Sequence, residues 1–422
     1  MGASASRQLT RETLLGYFER AVTPRSAWQV GMELERMGRD AERGEPIPYE
    51  GAPASVRAAL EHLREARGGD PIFEGEHLIG LDGPWGTISL EPGGQVEWSS
   101  RPRSSLAALR ADLDGHAAAM RAAGAALGID WLDTGVDPRL PVERMPWMPK
   151  ARYNIMRPFL GARGRLAHRM MTQTASIQCA YDFDDAEDWT RKFKAAALLA
   201  PLATALFANS PRVDGAESGY RSYRQAIWQE TDPARCGLPD VVFAPGFGIA
   251  PWLDWVLRVP TIFRHRARGL VPAGGVPFLE LLERGGCDAM GDEDWETHIS
   301  TVFTEVRCYT YLEVRSADVQ PDHHAMAVPT FWTGLLYHDD ALTAALELGR
   351  EIDHAERWRE AMRSAARDGL DGRAGSRPLR ELAAAALAHA IDGLRNGADC
   401  SAADDAHALE RFADAVGIEP RR

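Results

Sequence analysis

Lysine is almost missing from this chain. Lys150, Lys192 and Lys194 are the only three among 48 basic residues, so arginine carries nearly all the positive charge. The imbalance reads as coding bias in a GC-rich genome, but it has a chemical consequence. A guanidinium offers planar, bidentate contacts to phosphate or carboxylate that an ammonium cannot copy. Cysteine is scarce too. Cys179, Cys236, Cys287, Cys308 and Cys400 are odd in number, far apart and free of CxxC spacing. That excludes a disulfide framework and points to reduced thiols in the cytoplasm. No window approaches the roughly 18 apolar residues of a membrane span, and the opening MGASASRQLTRETLLGYF lacks the continuous apolar core of a signal peptide. The formal charge of -13 argues against nucleic acid or an anionic membrane as a partner and leaves small molecules. Sequence leaves the oligomeric state open.

What remains is a chain of 422 residues, long enough to bury a large core and to be an enzyme. Apolar periodicity predicts helices over 11–21, 54–66, 104–127 and 185–209, and strands over 28–36, 88–90, 95–99, 129–134, 174–183, 241–244 and 309–316. Residues 138–169, rich in Pro, Gly, Met and Arg, read as an ordered loop with a short helix. The Ala-rich, charged segments 340–368, 378–396 and 402–416 are helical in period. Irregular mixing of strands and helices makes the fold class α+β, not a doubly wound parallel sheet.

Three strand candidates carry acids on the face opposite an apolar one. In GMELERMG, Glu33 and Glu35 share a face and Met32 and Leu34 the other; in QVEWS, Glu97 opposes Val96 and Trp98; in TYLEVRSAD, Glu313 and Arg315 oppose Leu312 and Val314. Each strand alone could be a solvated edge or a surface ion pair. Together, on one sheet, they would form a carboxylate-lined surface, and such oxygen-rich sites select Mg²⁺ or Mn²⁺. Zinc is not indicated, since HExxH and CxxC are missing and His323 and His324 read as loop residues. No Gly-Lys dipeptide occurs, which excludes a Walker-type phosphate loop, and GFGIAP near residue 246 is too short for a dinucleotide fingerprint. Bound phosphates would then rest on metal ions and arginines, with Arg152, Arg224 and Arg315 as candidates. There is no GxSxG and no cysteine motif with a nearby histidine to support a covalent nucleophile. Glu91, at the turn before Pro92, is left outside the metal set.

At these residues the chain resembles the glutamate-cysteine ligase family, most closely its plant-type branch, which also occurs in many bacteria. GMELE, ISLEPGGQVE, MPKARYNIM, RKFKAAALLAPLATALFANSP, GYRSYRQAIWQETDP, WETHISTVFTEVRCYTYLEVRSAD and PTFWTGLLY follow in order through about residues 28 to 340. The resemblance implies a glutamine-synthetase-like fold, with a curved, mainly antiparallel sheet forming an open trough. Residues 1–340 would be the catalytic domain, and 341–422 a helical layer packed on it. The implied reaction phosphorylates the γ-carboxylate of glutamate with ATP and lets the amine of cysteine displace phosphate. It yields γ-glutamylcysteine, the first step of glutathione-type thiol synthesis. By carry-over, Glu33, Glu35, Glu97 and Glu313 would hold Mg²⁺ or Mn²⁺, Arg315 the transferred phosphate, and Gln178, Arg224 and Arg152 the substrates. The chain departs from the plant branch in ELERM for EHEKF and in VRSAD for MRGAD, the latter resembling the bacterial branch. QTASIQCAYDF also lacks an expected arginine, which alters the amino-acid pocket. A related ligase with another acceptor amine or donor acid is therefore the alternative.

Overall fold

The computed structural model describes residues 9–267, 269–284, 289–396 and 402–421. Nine segments pair antiparallel into one sheet: β1 (Val30–Asp40), β2 (Asp70–Glu74), β3 (His77–Gly83), β4 (Gly86–Leu90), β5 (Val96–Ser99), β6 (Ile129–Leu132), β7 (Ser176–Tyr181), β8 (Val306–Cys308) and β9 (Leu312–Asp318). The spatial order is β8-β9-β7-β1-β5-β4-β3-β2, with β6 paired to the far half of β1.

The two faces differ as strand alternation requires. Met32 and Leu34 of β1, Val96 and Trp98 of β5, Ile177 and Cys179 of β7, and Leu312 and Val314 of β9 are all buried on one side. Helices Val56–Arg67, Leu106–Leu127, Ala186–Leu206 and Ala327–Leu336 pack against the sheet or against one another on that side. Trp98 anchors it: the indole N–H donates to the Trp85 carbonyl at 3.1 Å, and its ring stacks on His116 with centroids 5.0 Å apart.

Helix Ala186–Leu206 shows why local pattern leads to deep burial. Asp185 caps it, accepting from the Asp188 N–H, and Glu187 and Asp188 favour its positive end. Beyond the first turn its surface is mostly Ala, Leu and Phe, and it lies between the sheet and helices Asp339–Gly349 and Ala355–Asp368. Helix Leu379–Asn396 packs on Ala327–Leu336, and Ala402–Ala415 packs against both, so the C-terminal helices form a layer on the same body.

Several expectations need correction. β1 runs on to Asp40, and the strands β2 and β3 over 70–83 were not anticipated. Residues 241–244 are not a strand: Asp240–Phe243 is a 3₁₀ turn that follows Pro239 and buries only Val242. Tyr309 and Tyr311 form a turn ahead of β9, the Tyr309 N–H donating to the Tyr311 carbonyl at 2.9 Å. His323 and His324 lie in a helical turn, Asp322–Ala325, rather than a loop. Cys179, Cys236 and Cys308 are free thiols; Cys287 and Cys400 lie outside the described residues. No helix among the described residues is long and apolar enough to cross a membrane.

Candidate active site

Register decides which polar side chains meet. Glu35 lies directly opposite Glu97 on β5, Glu33 opposite Gln178 on β7, and Glu313 opposite Ala180 on β7 and Arg307 on β8. Five neighbouring strands thus turn acids, arginines and Gln178 toward one cavity of about 210 Å³. Its lining includes Glu33, Glu35, Glu91, Glu97, Gln178, Arg152, Arg307, Tyr309 and Arg315. A larger groove of about 760 Å³ lies on the other side of Trp228, lined by Trp255, Trp358 and Arg258 among others. It holds none of the strand carboxylates.

The turn between β4 and β5 is clamped. A side chain at Gly93 would strike the Thr172 carbonyl at 2.3 Å, and Gly94 takes a φ of 89°, so the sequence PGG is what this turn demands. The Gln95 amide bridges the Gly93 N–H and the Thr174 carbonyl, each at 2.9 Å. Lys150 Nζ and the Tyr153 hydroxyl both donate to the Leu90 carbonyl, and the Met148 N–H donates to Pro92. These contacts fix Glu91 and Glu97 at opposite ends of one rigid turn.

Charge is sorted along the trough. Burial, followed by repulsion from neighbouring acids, raises the carboxyl pKa of Glu33, Glu35 and Glu97 above the usual range. Local partners offset part of this: the Ser176 N–H donates to Glu35 at 2.6 Å and the Ser89 hydroxyl to Glu97 at 3.0 Å. Glu313 behaves oppositely. Burial opposes its charge, but Arg307 and Arg315 outweigh that and hold its pKa below the ordinary value. Arg307 Nε donates to its Oε2 at 2.7 Å and Arg315 Nη1 at 3.0 Å, while Arg315 also donates to Gln178. Two guanidiniums on one carboxylate leave a net positive end facing a negative one.

The expected residues Glu33, Glu35, Glu97, Gln178, Arg152 and Arg315 therefore line one cavity, whereas Glu313, 2% exposed, lies beneath its lining, bound to Arg307 and Arg315. Arg224 does not line the cavity either. It is 3% exposed and sits behind the wall, donating to the Arg315 carbonyl at 3.1 Å and lying 3.8 Å from Asp318. Gln173, the place of the missing arginine, also stays out of the cavity, donating to the Leu140 carbonyl and accepting from Arg169. Sequence reasoning passed over Arg307 and Tyr309, although both stand in the segment VRCYTYLEVR that the family resemblance spans. It set aside Glu91, whose charge bears on Glu35, Glu97 and Lys150.

Among the described residues, no three acids, histidines or cysteines stand close enough to hold a metal ion as they are. The donor chemistry nonetheless fits one: partly open carboxylates with excess negative charge and no nitrogen or sulfur donor among them suit a hard divalent cation.

The sequence profile of Glutamate-cysteine ligase family 2 (GCS2) matches residues 29–422, extending through the C-terminal helices. The chloroplastic glutamate-cysteine ligase of Brassica juncea is 37% identical over 358 residues, covering 84% of this chain and 69% of its own. The corresponding protein of Arabidopsis thaliana is also 37% identical, covering 84% and 68%. The crystal structure of glutamate-cysteine ligase from Francisella tularensis in complex with AMP superposes with a TM-score of 0.55 at 12% identity, covering 92% of this chain and 82% of that one. That likeness is one of fold.

Proposed function

The chain belongs to glutamate-cysteine ligase family 2, and we propose that its trough joins the γ-carboxylate of L-glutamate to the amine of L-cysteine, converting ATP to ADP and phosphate. The observation that carries this reading is the single sheet face on which Glu33, Glu35, Glu91 and Glu97 confront the Arg307–Glu313–Arg315 cluster.

The chemistry requires both ends. A γ-carboxylate oxygen attacks the terminal phosphorus of ATP, the bond to the bridging oxygen breaks, and ADP departs. The amine nitrogen, having lost a proton, then attacks the acyl carbon, and phosphate leaves with the electrons of the C–O bond. Both steps crowd negative oxygens together, so catalysis rests on position and on fixed opposite charge. Arg315 is already held by Glu313 and Gln178, which orients its remaining N–H groups without reorganisation at the moment of transfer. Arg307, anchored to the Ser300 carbonyl at 3.0 Å, keeps Glu313 ionised. Mg²⁺ or Mn²⁺ would be held by Glu33, Glu35 and Glu97, with Glu91 beside them, and would neutralise the phosphates.

The test is product identification. With ATP, Mg²⁺, glutamate and cysteine, the protein should release ADP and form a peptide with the mass of γ-glutamylcysteine. Absence of ADP release would remove the proposal.

A further inference from the structure

Strand β1 carries charge on its core face as well as toward the trough. Arg36 follows Glu35 and, by alternation, shares with Leu34 the side away from the carboxylates. It is 5% exposed, and a cation so deeply placed needs partners on every side. Its Nη2 donates to Asp322 at 2.9 Å and to the Gln320 carbonyl at 2.8 Å, but its Nη1 is buried with no partner among the described residues. Asp322 is itself divided, since Arg121 Nη1 donates to its other oxygen at 2.7 Å. One carboxylate thus serves two guanidiniums.

Arg36 lines a cavity of about 240 Å³ that is separate from the trough, and His116 lines it too. The imidazole is fully buried and stacked on Trp98, and neither ring nitrogen has a partner among the described residues. Burial, with Arg67 and Arg36, lowers its pKa to about 3, so at neutral pH one nitrogen bears a proton to donate. Buried polar groups left without partners are rare, and here two side chains from different elements leave them at one cavity. The other walls include Leu34, Ala117, Met120 and Trp131, which are apolar, and Trp131 already spends its N–H on the Met120 carbonyl. Asp133 also contributes, but as an exposed acid it offsets the buried charge only weakly. A cation and a neutral donor among apolar walls suit one small planar anion with a short hydrocarbon chain.

We infer that this cavity is a second binding site, for a short-chain aliphatic monocarboxylate whose oxygens accept from Arg36 and His116 and whose chain lies along Leu34, Met120 and Trp131. The inference is independent of the ligase reading. The probe is sodium propionate on the full chain, with sodium chloride and sodium phosphate at equal ionic strength as references. Ligand-observed NMR should show saturable binding with a Kd on the order of 1 mM, as much as five non-hydrogen atoms supply in a good site. At a hundredfold excess over that Kd, propionate should raise the Tm by about 3 °C relative to chloride. Glutamate, which fills the trough, should not displace it. Ala117→Leu, which fills the cavity and keeps both donors, should abolish binding; His116→Phe should weaken it about two- to tenfold and Arg36→Met at least about tenfold. Should Arg36→Met fail to fold, the other two variants decide. No saturable binding would mean that the cavity takes only water and would overturn the assignment. So would displacement by glutamate, an equal Tm rise with chloride or phosphate, or undiminished binding in Ala117→Leu.

Discussion

Glu97→Gln separates what the trough does for folding from what it does for chemistry. The amide is nearly the same shape and keeps an oxygen for the Ser89 hydroxyl, which donates at 3.0 Å. The charge is what changes. Glu97 stands directly opposite Glu35, and burial together with Glu33, Glu91 and Glu35 already pushes its carboxyl well above the usual pKa. Like charges opposed on neighbouring strands cost about 0.2–1 kcal/mol, so neutralising one should leave the metal-free protein as stable as before or up to ~1 kcal/mol more so. With an unfolding entropy of about 2.1 cal/mol/K per residue, that gain is about 1 °C in Tm for a chain of this length. Turnover should move the other way. Losing one of the fixed charges around the transferred phosphoryl group should lower kcat by about 10² to 10³. The assay is ADP release at saturating substrates, beside thermal unfolding with and without Mg²⁺. Mg²⁺ should raise the Tm of the wild type more than that of the variant, because a ligand stabilises in proportion to its binding. Turnover within fivefold of wild type would refute the metal assignment; a Tm drop of about 5 °C or more would refute the claim that the charge is a burden to the fold.

Other outcomes follow from the same contacts. Glu313→Gln removes the one acid between two buried guanidiniums and should destabilise the protein by about 3–5 kcal/mol, measured by urea unfolding; unchanged stability would deny that Glu313 holds Arg307 and Arg315. Arg315→Lys keeps the charge but cannot serve Glu313 and Gln178 while presenting a planar face, so kcat should fall at least about tenfold; full activity would argue against a phosphate role. Stability should also depend on pH through His116, whose imidazole is fully buried between Trp98 and its surroundings and whose pKa burial, with help from Arg67 and Arg36, lowers from 6.5 to about 3. Between those values the unfolded chain binds a proton that the native one does not, so stability is complete above about pH 6.5 and is lost as pH falls toward 3. The term is on the order of a few kcal/mol, and denaturation midpoints of His116→Phe should show a shallower decline over that range.

How much of this was legible beforehand is clearest strand by strand. Alternation alone placed Glu33 and Glu35 against Met32 and Leu34, Glu97 against Val96 and Trp98, and Glu313 against Leu312 and Val314, because strand geometry sends successive side chains to opposite faces whatever the fold. The paired glycines before Gln95 marked a turn for the same local reason. Where local patterns are ambiguous they misled: VVFA at 241–244 has strand composition, yet after Pro239 it folds as a 3₁₀ turn. β2 and β3 escape notice because DPIFE is short and carries a proline while HLIGLDG carries two glycines, and both weaken the strand period.

Spacing along the chain, by contrast, is silent on which strands become neighbours. That β9, from the far end of the chain, lies beside β7 and so brings Arg315 to Gln178 is a matter of sheet order. Only that order could show that Arg224 braces the wall from behind, that Arg307 shares Glu313 with Arg315, and that Glu91 faces into the trough. The sequence by itself determined the alternation of acid and apolar faces and the preference for arginine. Tertiary structure alone decided which charges are paired and which are left for ligands, because pairing depends on distances between segments that are remote in the chain.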